Sequence, residues 1–431
     1  MEVRVRKTWL RLFAPLVALS LFGAACASGE DAATDTGAQA PAAESDDAMA
    51  SMEASSSSDA PAVDTPAATL TRDLTSLLAG HEYHAGLAIY TAVQAGGDLK
   101  DPTVQAAVKS LDKNTQALAG AVGSIYGKPA EQQFLKLWRA HIGFFVDYTL
   151  GKATGNAQMA QTAQRNLDGY RNDFGALIEG ATEGALTQEQ VAEALIPHVE
   201  STSAAIDAVV AGDASAFDKL QEAAHHLPMI ATALSTGIST QQDLEGNPDD
   251  AAAQLQRDLT SLLAGHEYHA GIAVYTAVQA KGDLKDPTVQ AAVKSLDKNT
   301  QALAGAIGSI YGEAAEQQFL KLWRAHIGFF VDYTLGKATG NAQMAQTAQR
   351  NLDGYRNDFG ALIEGATEGG LTQEQVAEAL VPHVESTSAA IDAVVAGDAS
   401  AFDKLQEAAH HLPMIATALA GAIVEQFPDK F

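Results

Sequence analysis

The chain repeats itself. Residues 70–234 and 255–419 align without a gap, Leu70 on Leu255, and only nine of the 165 aligned pairs differ, mostly mildly, as Leu87 for Ile272 or Ile89 for Val274. Whatever one copy folds into, the other must fold into as well, so each core has to close within one repeat length. Such near-identity says little about which residues are needed.

Inside a copy, stop-and-restart signals recur about every 57 residues: Ala95-Gly96-Gly97-Asp98, Thr154-Gly155-Asn156 and Ala211-Gly212-Asp213. Each offers glycine as a helix C-cap and Asp or Asn as the next N-cap. Asp101-Pro102 supplies an N-cap with proline at the first helical position, Thr187-Gln188-Glu189-Gln190 fits a capping box, and Tyr126-Gly127 and Glu179-Gly180 close the remaining helices. The reading is six helices per copy, near 70–95, 102–126, 129–153, 157–179, 188–211 and 214–234. Alanine is abundant, aromatics are 6%, and no run alternates in the manner of a strand. Short connections make neighbours antiparallel. The expected fold class is therefore all-α: two tandem six-helix up-down bundles, each of three antiparallel helical hairpins, over residues 69–238 and 254–431 with a linker at 239–253.

Residues 1–25 read as an export signal, with Arg4, Arg6, Lys7 and Arg11 ahead of or opening the apolar run 12–22. Gly23-Ala24-Ala25-Cys26 follows, and Cys26 is the chain's single cysteine. This resembles a bacterial lipoprotein signal, which implies lipidation of Cys26 and a membrane-anchored, extracytoplasmic protein, with simple secretion as the alternative. Residues 26–68 are rich in Ala, Ser, Asp, Glu and Pro and read as a flexible spacer. The net charge of −26 excludes nucleic acid as a partner, and a lone cysteine excludes an internal disulfide.

All twelve histidines fall in the repeats, six in each. In an antiparallel hairpin, residues equally far from the turn lie at one height, because both helices rise by about 1.5 Å per residue. By that count His198 and His226, each 14 residues from Gly212, are level. His84 meets Asp112, and His141 meets Asp168 or Gly169. His84, His141, His198 and His226, with His269, His326, His383 and His411 in the second copy, are thus expected to form one metal-ligating layer per repeat. Asp112, Asp168, Asp297 and Asp353 would orient the rings, with His225 and His410 nearby. His81 is expected at the rim. Pro197 and Pro228 are expected to disturb the helices beside His198 and His226.

Imidazoles suit copper, zinc or iron. No His-Glu-x-x-His or Cys-x-x-Cys-His is present, which argues against zinc-protease and covalent haem sites; Glu-x-x-His occurs once in each copy, at Glu222–His225 and Glu407–His410. A buried His–Asp network without metal, in a structural or adhesive surface module, is the main alternative, and non-covalent haem the second. No nucleophile elbow, phosphate loop or dinucleotide fingerprint points to an enzyme.

The run from Trp138 through His141, Phe144, Phe145 and Asp147 to Thr149, followed by Leu167-Asp168-Gly169-Tyr170-Arg171, resembles a helical repeat domain of secreted bacterial surface proteins, often labelled copper amine oxidase-like. The resemblance spans about 70–238 and 255–423. It implies an extracytoplasmic α-helical module with a link to metal. It implies no oxidase activity, since the chain has no room for that catalytic domain.

Overall fold

The computed structural model describes residues 63–431, which lie within one compact unit. Cys26 and the expected export signal lie outside the described residues. Among the described residues there are fifteen helical segments and no strand, so the protein is an all-α bundle. No described helix is long and apolar enough to cross a membrane.

The first repeat comprises α1 (Pro66–Gln94), α2 (Pro102–Tyr126), α3 (Lys128–Thr154), α4 (Ala157–Ala181), α5 (Gln188–Ala194), α6 (Ile196–Ala211), α7 (Ala216–His225) and α8 (Leu227–Gln242). The second comprises α9 (Ala251–Gln279), α10 (Pro287–Tyr311), α11 (Glu313–Ala338), α12 (Ala342–Ala366), α13 (Gln373–Ala396), α14 (Ala401–His410) and α15 (Leu412–Gln426). Single residues separate α5 from α6 and α7 from α8, so each repeat amounts to six rods. The interruptions fall at Leu195 and His226, just ahead of Pro197 and Pro228. Proline has no N–H to give the preceding turn, and its ring crowds the carbonyl four residues back. In the second repeat Pro382 sits inside the unbroken α13, with Val381 in place of Ile196.

Most caps act where the sequence places them, but Gly180 lies inside a helix that runs to Ala181 with Thr182 at its C-cap, and Ser215 rather than Asp213 caps α7. Asp101 accepts from the Thr103 and Val104 amides, Asn156 from Met159, and Thr187 with Gln190 forms a complete capping box. Gly155 and Gly212 close α3 and α6 in the left-handed region. The first helix starts earlier than Leu70: Thr65 caps it with Pro66 at N1, and Val63 is buried in the core of the second repeat.

Sequential rods pack on one another, and the last rod of each repeat returns to the first. In α4, a methyl on Gly175 would strike the backbone carbonyl of Gln188, and Gly360 faces Gln373 in the same way. Alanine at either position would gain about 1 kcal/mol in helix propensity. The clash is with backbone that cannot yield, so Gly175→Ala or Gly360→Ala is expected to cost about 1–3 kcal/mol net, read as a lower calorimetric Tm. A raised Tm would show that α5 can slide.

Each repeat has buried clusters of its own, but the core does not close within one repeat as expected, because a further cluster is shared between the two. α1 and α9 lie against each other, and a single cluster of buried side chains draws Tyr83, Leu87 and Leu111 from one repeat and Tyr268, Ile272 and Leu296 from the other. The contacts are reciprocal, as across a two-fold axis. Tyr83 stacks on Tyr268 with ring centroids 5.1 Å apart and planes at 15°. The Tyr83 hydroxyl lies 3.1 Å from His269 Nε2, and that of Tyr268 lies 3.2 Å from His84 Nε2. Lys113 pairs with Asp403 and Lys298 with Asp218. These exposed ion pairs contribute about 0–1 kcal/mol each, so the buried aromatic contacts dominate.

Candidate metal centre

The centre starts in α1 with His81-Glu82-Tyr83-His84, four consecutive residues each no more than 3% exposed. Successive residues turn about 100° around a helix axis, so four in a row can be buried only if the helix is covered on every side. The first repeat covers the face of His81 and Glu82, while α9 covers the face of Tyr83 and His84.

This reverses the expected roles of the two histidines. His84 takes no part in a layer with His141: its Nδ1 lies 3.3 Å from Ser110 Oγ and its Nε2 faces Tyr268 across the interface, as His269 faces Ser295 and Tyr83. His81 fills the inward place, with its Nε2 3.2 Å from His141 Nε2, and His266 stands at the same distance from His326. In the second repeat, ligand atoms of His266, His326 and His383 all lie within 4.8 Å of one another, and all three residues are buried. His198 is the counterpart of His383 in the first repeat and is buried beside Glu82.

The remaining expected participants are elsewhere. Asp112 and Asp297 are held at the surface by Arg139 and Arg324, and Asp168 and Asp353 by Arg171 and Arg356. Equal height along a hairpin did not mean a shared face, because these acids project outward. His225 and His410 are exposed, and His226 and His411 are half-buried helix caps whose rings face those neighbours at 6.3 and 6.2 Å.

The carboxylate of the centre is Glu82 or Glu267, each 1% exposed. Thr202 and Thr387 donate to both carboxylate oxygens, at 3.3 and 3.2 Å respectively. His383 Nδ1 lies 3.5 Å from Glu267 Oε2, and His198 Nδ1 lies 3.6 Å from Glu82 Oε2. A visible signal marked this residue: Glu82 is the sole charged side chain between Asp73 and Asp98.

Aromatic rings fix the imidazoles. His326 stacks on Tyr355 and meets the edge of Trp323, both at 4.7 Å between centroids. Trp323 Nε1 lies 3.3 Å from His266 Nδ1, and Trp138 Nε1 lies 3.4 Å from His81 Nδ1. Indole nitrogen only donates, so His266 Nδ1 accepts and the neutral ring carries its proton on Nε2, aimed at His326 Nε2. His326 then holds its own proton on Nδ1, where no hydrogen-bond partner is present, and His383 Nδ1 is likewise unpartnered.

Burial sets the protonation states. Desolvation pushes His81 and His326 down to about 3 and His198 and His383 down to about 4, with neighbouring imidazoles adding to the effect. His141 and His266 are held well below the usual imidazole value for the same reasons. Glu82 and Glu267 are pushed up to about 8, again by burial and against the Thr hydrogen bonds. Each cluster therefore gathers neutral imidazoles beside an acid that lacks a cation.

Fold and site together define an all-α bundle with two buried imidazole–carboxylate clusters. No protein family, curated protein or solved structure matches the chain.

Proposed function

We propose that the protein is an extracytoplasmic lipoprotein whose repeats each hold a transition-metal ion of the copper, zinc or iron type on three histidines. The observation that carries this reading is the triad His266, His326 and His383, buried and with ligand atoms within 4.8 Å of one another. Two nitrogens bound at about 2.0–2.1 Å to one tetrahedral ion lie roughly 3.3 Å apart, close to the 3.2 Å between the Nε2 atoms of His266 and His326. Glu267 Oε2, 3.5 Å from the unpartnered His383 Nδ1, is placed where a carboxylate commonly orients a ligating ring. The close approach of the Nε2 pair leaves no room for a macrocycle between them, which counts against haem.

A second reading has its own support. The chain Trp323 to His266 to His326 is a hydrogen-bonded path that serves a metal-free core. Ligation through His266 Nε2 requires the ring proton to move to Nδ1, which breaks the Trp323 bond at a cost of about 1 kcal/mol. Structural zinc sites release about 10–16 kcal/mol, so the metal wins if it is available.

Elemental analysis of the full chain, purified without an affinity tag, tests the choice. Expected are up to two ions per chain, one fewer after His326→Ala, and none after His141→Ala is added. At a free-metal concentration 100 times Kd, binding stabilises the fold by about 2.7 kcal/mol, and both changes together should abolish that rise in Tm. A metal content and Tm indifferent to both leaves only the structural core. Trp323→Phe keeps the packing and removes the competing donor. It should lower metal-free stability by about 1 kcal/mol and tighten metal binding in the second repeat about fivefold, as measured by competition with a chelator.

A further inference from the structure

The second repeat holds an apolar cleft, open to solvent, that reaches the candidate metal centre: His266, Glu267 and His383 line it at one end. Along α9 the lining residues are Glu267, Ala270, Ala273, Val274 and Ala277. Ten residues of helix make this face about 15 Å long. Alanines keep it low, and the aliphatic side chains of α10 and α11 form the walls. Leu284 and Val293 stand at the rim, 40% and 43% exposed, which is unusual for side chains of their size.

Of the nine differences between the repeats, one lies on this cleft and two lie near it in sequence. Val274 replaces Ile89 on the lining and Val381 replaces Ile196 two residues before His383, each with one methylene less. Lys281 takes the left-handed backbone at φ 55° where the first repeat uses Gly96, just before Leu284. The counterparts of Leu284 and Val293, Leu99 and Val108, are half-buried.

We infer that this cleft binds an amphipathic monocarboxylate with a single alkyl tail, its head ligating the metal ion at the floor and its tail lying along α9. The inference rests on the metal-binding reading above. Charge supports the head group: a divalent ion held by three neutral imidazoles stays positive whether Glu267 beside it carries a proton or not. The chain's net acidity opposes anions only at long range, where salt screens it beyond about 8–10 Å. Length supports the tail, since 15 Å accommodates decanoate, and beyond the floor the lining is apolar, aliphatic but for Phe330, with Thr334 and Thr387 the two polar side chains.

The test loads the full chain with cobalt(II), whose visible spectrum reports a new ligand, and titrates decanoate, with acetate as the head group alone. Decanoate should perturb the spectrum at one site per chain. Acetate should bind at least about 100-fold more weakly, since each buried methylene is worth about a fourfold factor. Val274→Ile, the residue of the first repeat, and Val293→Asp on the exposed rim should each weaken decanoate at least about fivefold and leave cobalt content unchanged. A cobalt-loaded protein whose spectrum ignores decanoate overturns the inference and leaves the metal reading standing. Decanoate affinity unmoved by both variants also overturns it, because the tail then lies elsewhere. A chain that binds no cobalt refutes the metal reading, and this inference falls with it.

Discussion

On acidification from pH 7 to pH 4 without added metal, the protein is expected to unfold cooperatively, with a midpoint between pH 6 and 4. Eight imidazoles, four in each repeat, are buried and neutral: His81, His84, His141 and His198 with their counterparts. His84 is pushed down to about 4 and His269 to about 3 by burial, as the ligand histidines are. A histidine whose folded value is depressed contributes stability that is present above its unfolded value near 6.5. That contribution is lost as pH falls toward the folded value, because the unfolded chain then binds the proton that the core refuses.

At pH 5 each such group favours the unfolded chain by about 2 kcal/mol, and a domain has about 5–15 kcal/mol to lose. Glu82 and Glu267 act in the opposite sense. Raised to about 8, they are stabilising below pH 4.5 and lose that contribution as pH rises through 8. Two acids relieved by acidification do not offset eight imidazoles, so the histidines decide. A far-UV circular dichroism titration reads the outcome, and metal should move the midpoint to lower pH. Native ellipticity persisting at pH 4 would mean that the rings protonate in place, and the assigned burial would be wrong.

Replacing Tyr83 and Tyr268 together with alanine is expected to divide one calorimetric unfolding transition into two. The tyrosines are each 3% exposed and stack on each other at the centre of the shared core. Truncating a buried aromatic costs about 3–5 kcal/mol. Both truncations also strip the hydroxyl from the buried Nε2 of His84 and of His269, for about 1–3 kcal/mol each. These losses fall on the contact between the repeats, while each repeat keeps its own cluster around Leu118, Phe134 and Phe174 or around Leu303, Phe319 and Phe359. The repeats should then melt separately. Tyr83→Phe/Tyr268→Phe keeps the stack and should lower Tm while preserving a single transition. A single transition in the alanine variant would place the coupling in the flanking contacts between α1, α9 and α14.

Much of this architecture was readable in the chain. Helix limits follow from local chemistry: Asp101 with Pro102, Asn156, Gly155, Gly212 and the Thr187–Gln190 box act within one or two turns of themselves, and each sits at a helix end. Pro197 and Pro228 mark interruptions for the same local reason. That His141 and His198 face inward was also legible, since each lies on a helix with one apolar face.

The 57-residue period does not set which histidines meet. That period links His84 to His141, whereas packing brings His81 to His141, 60 residues apart and about one helical turn further along. Periodicity measures spacing along the chain and is blind to the small offsets with which helices slide together. It is equally blind to which face of α1 the other repeat covers.

The duplication, the helix limits and the supply of buried imidazoles were determined by the sequence alone, because caps, prolines and apolar periodicity act over a few residues. Only tertiary structure decided that His81 and Glu82 turn to the candidate site while Tyr83 and His84 turn to the second repeat. Four adjacent residues on one helix differ only in direction, and direction acquires meaning once another helix packs against it.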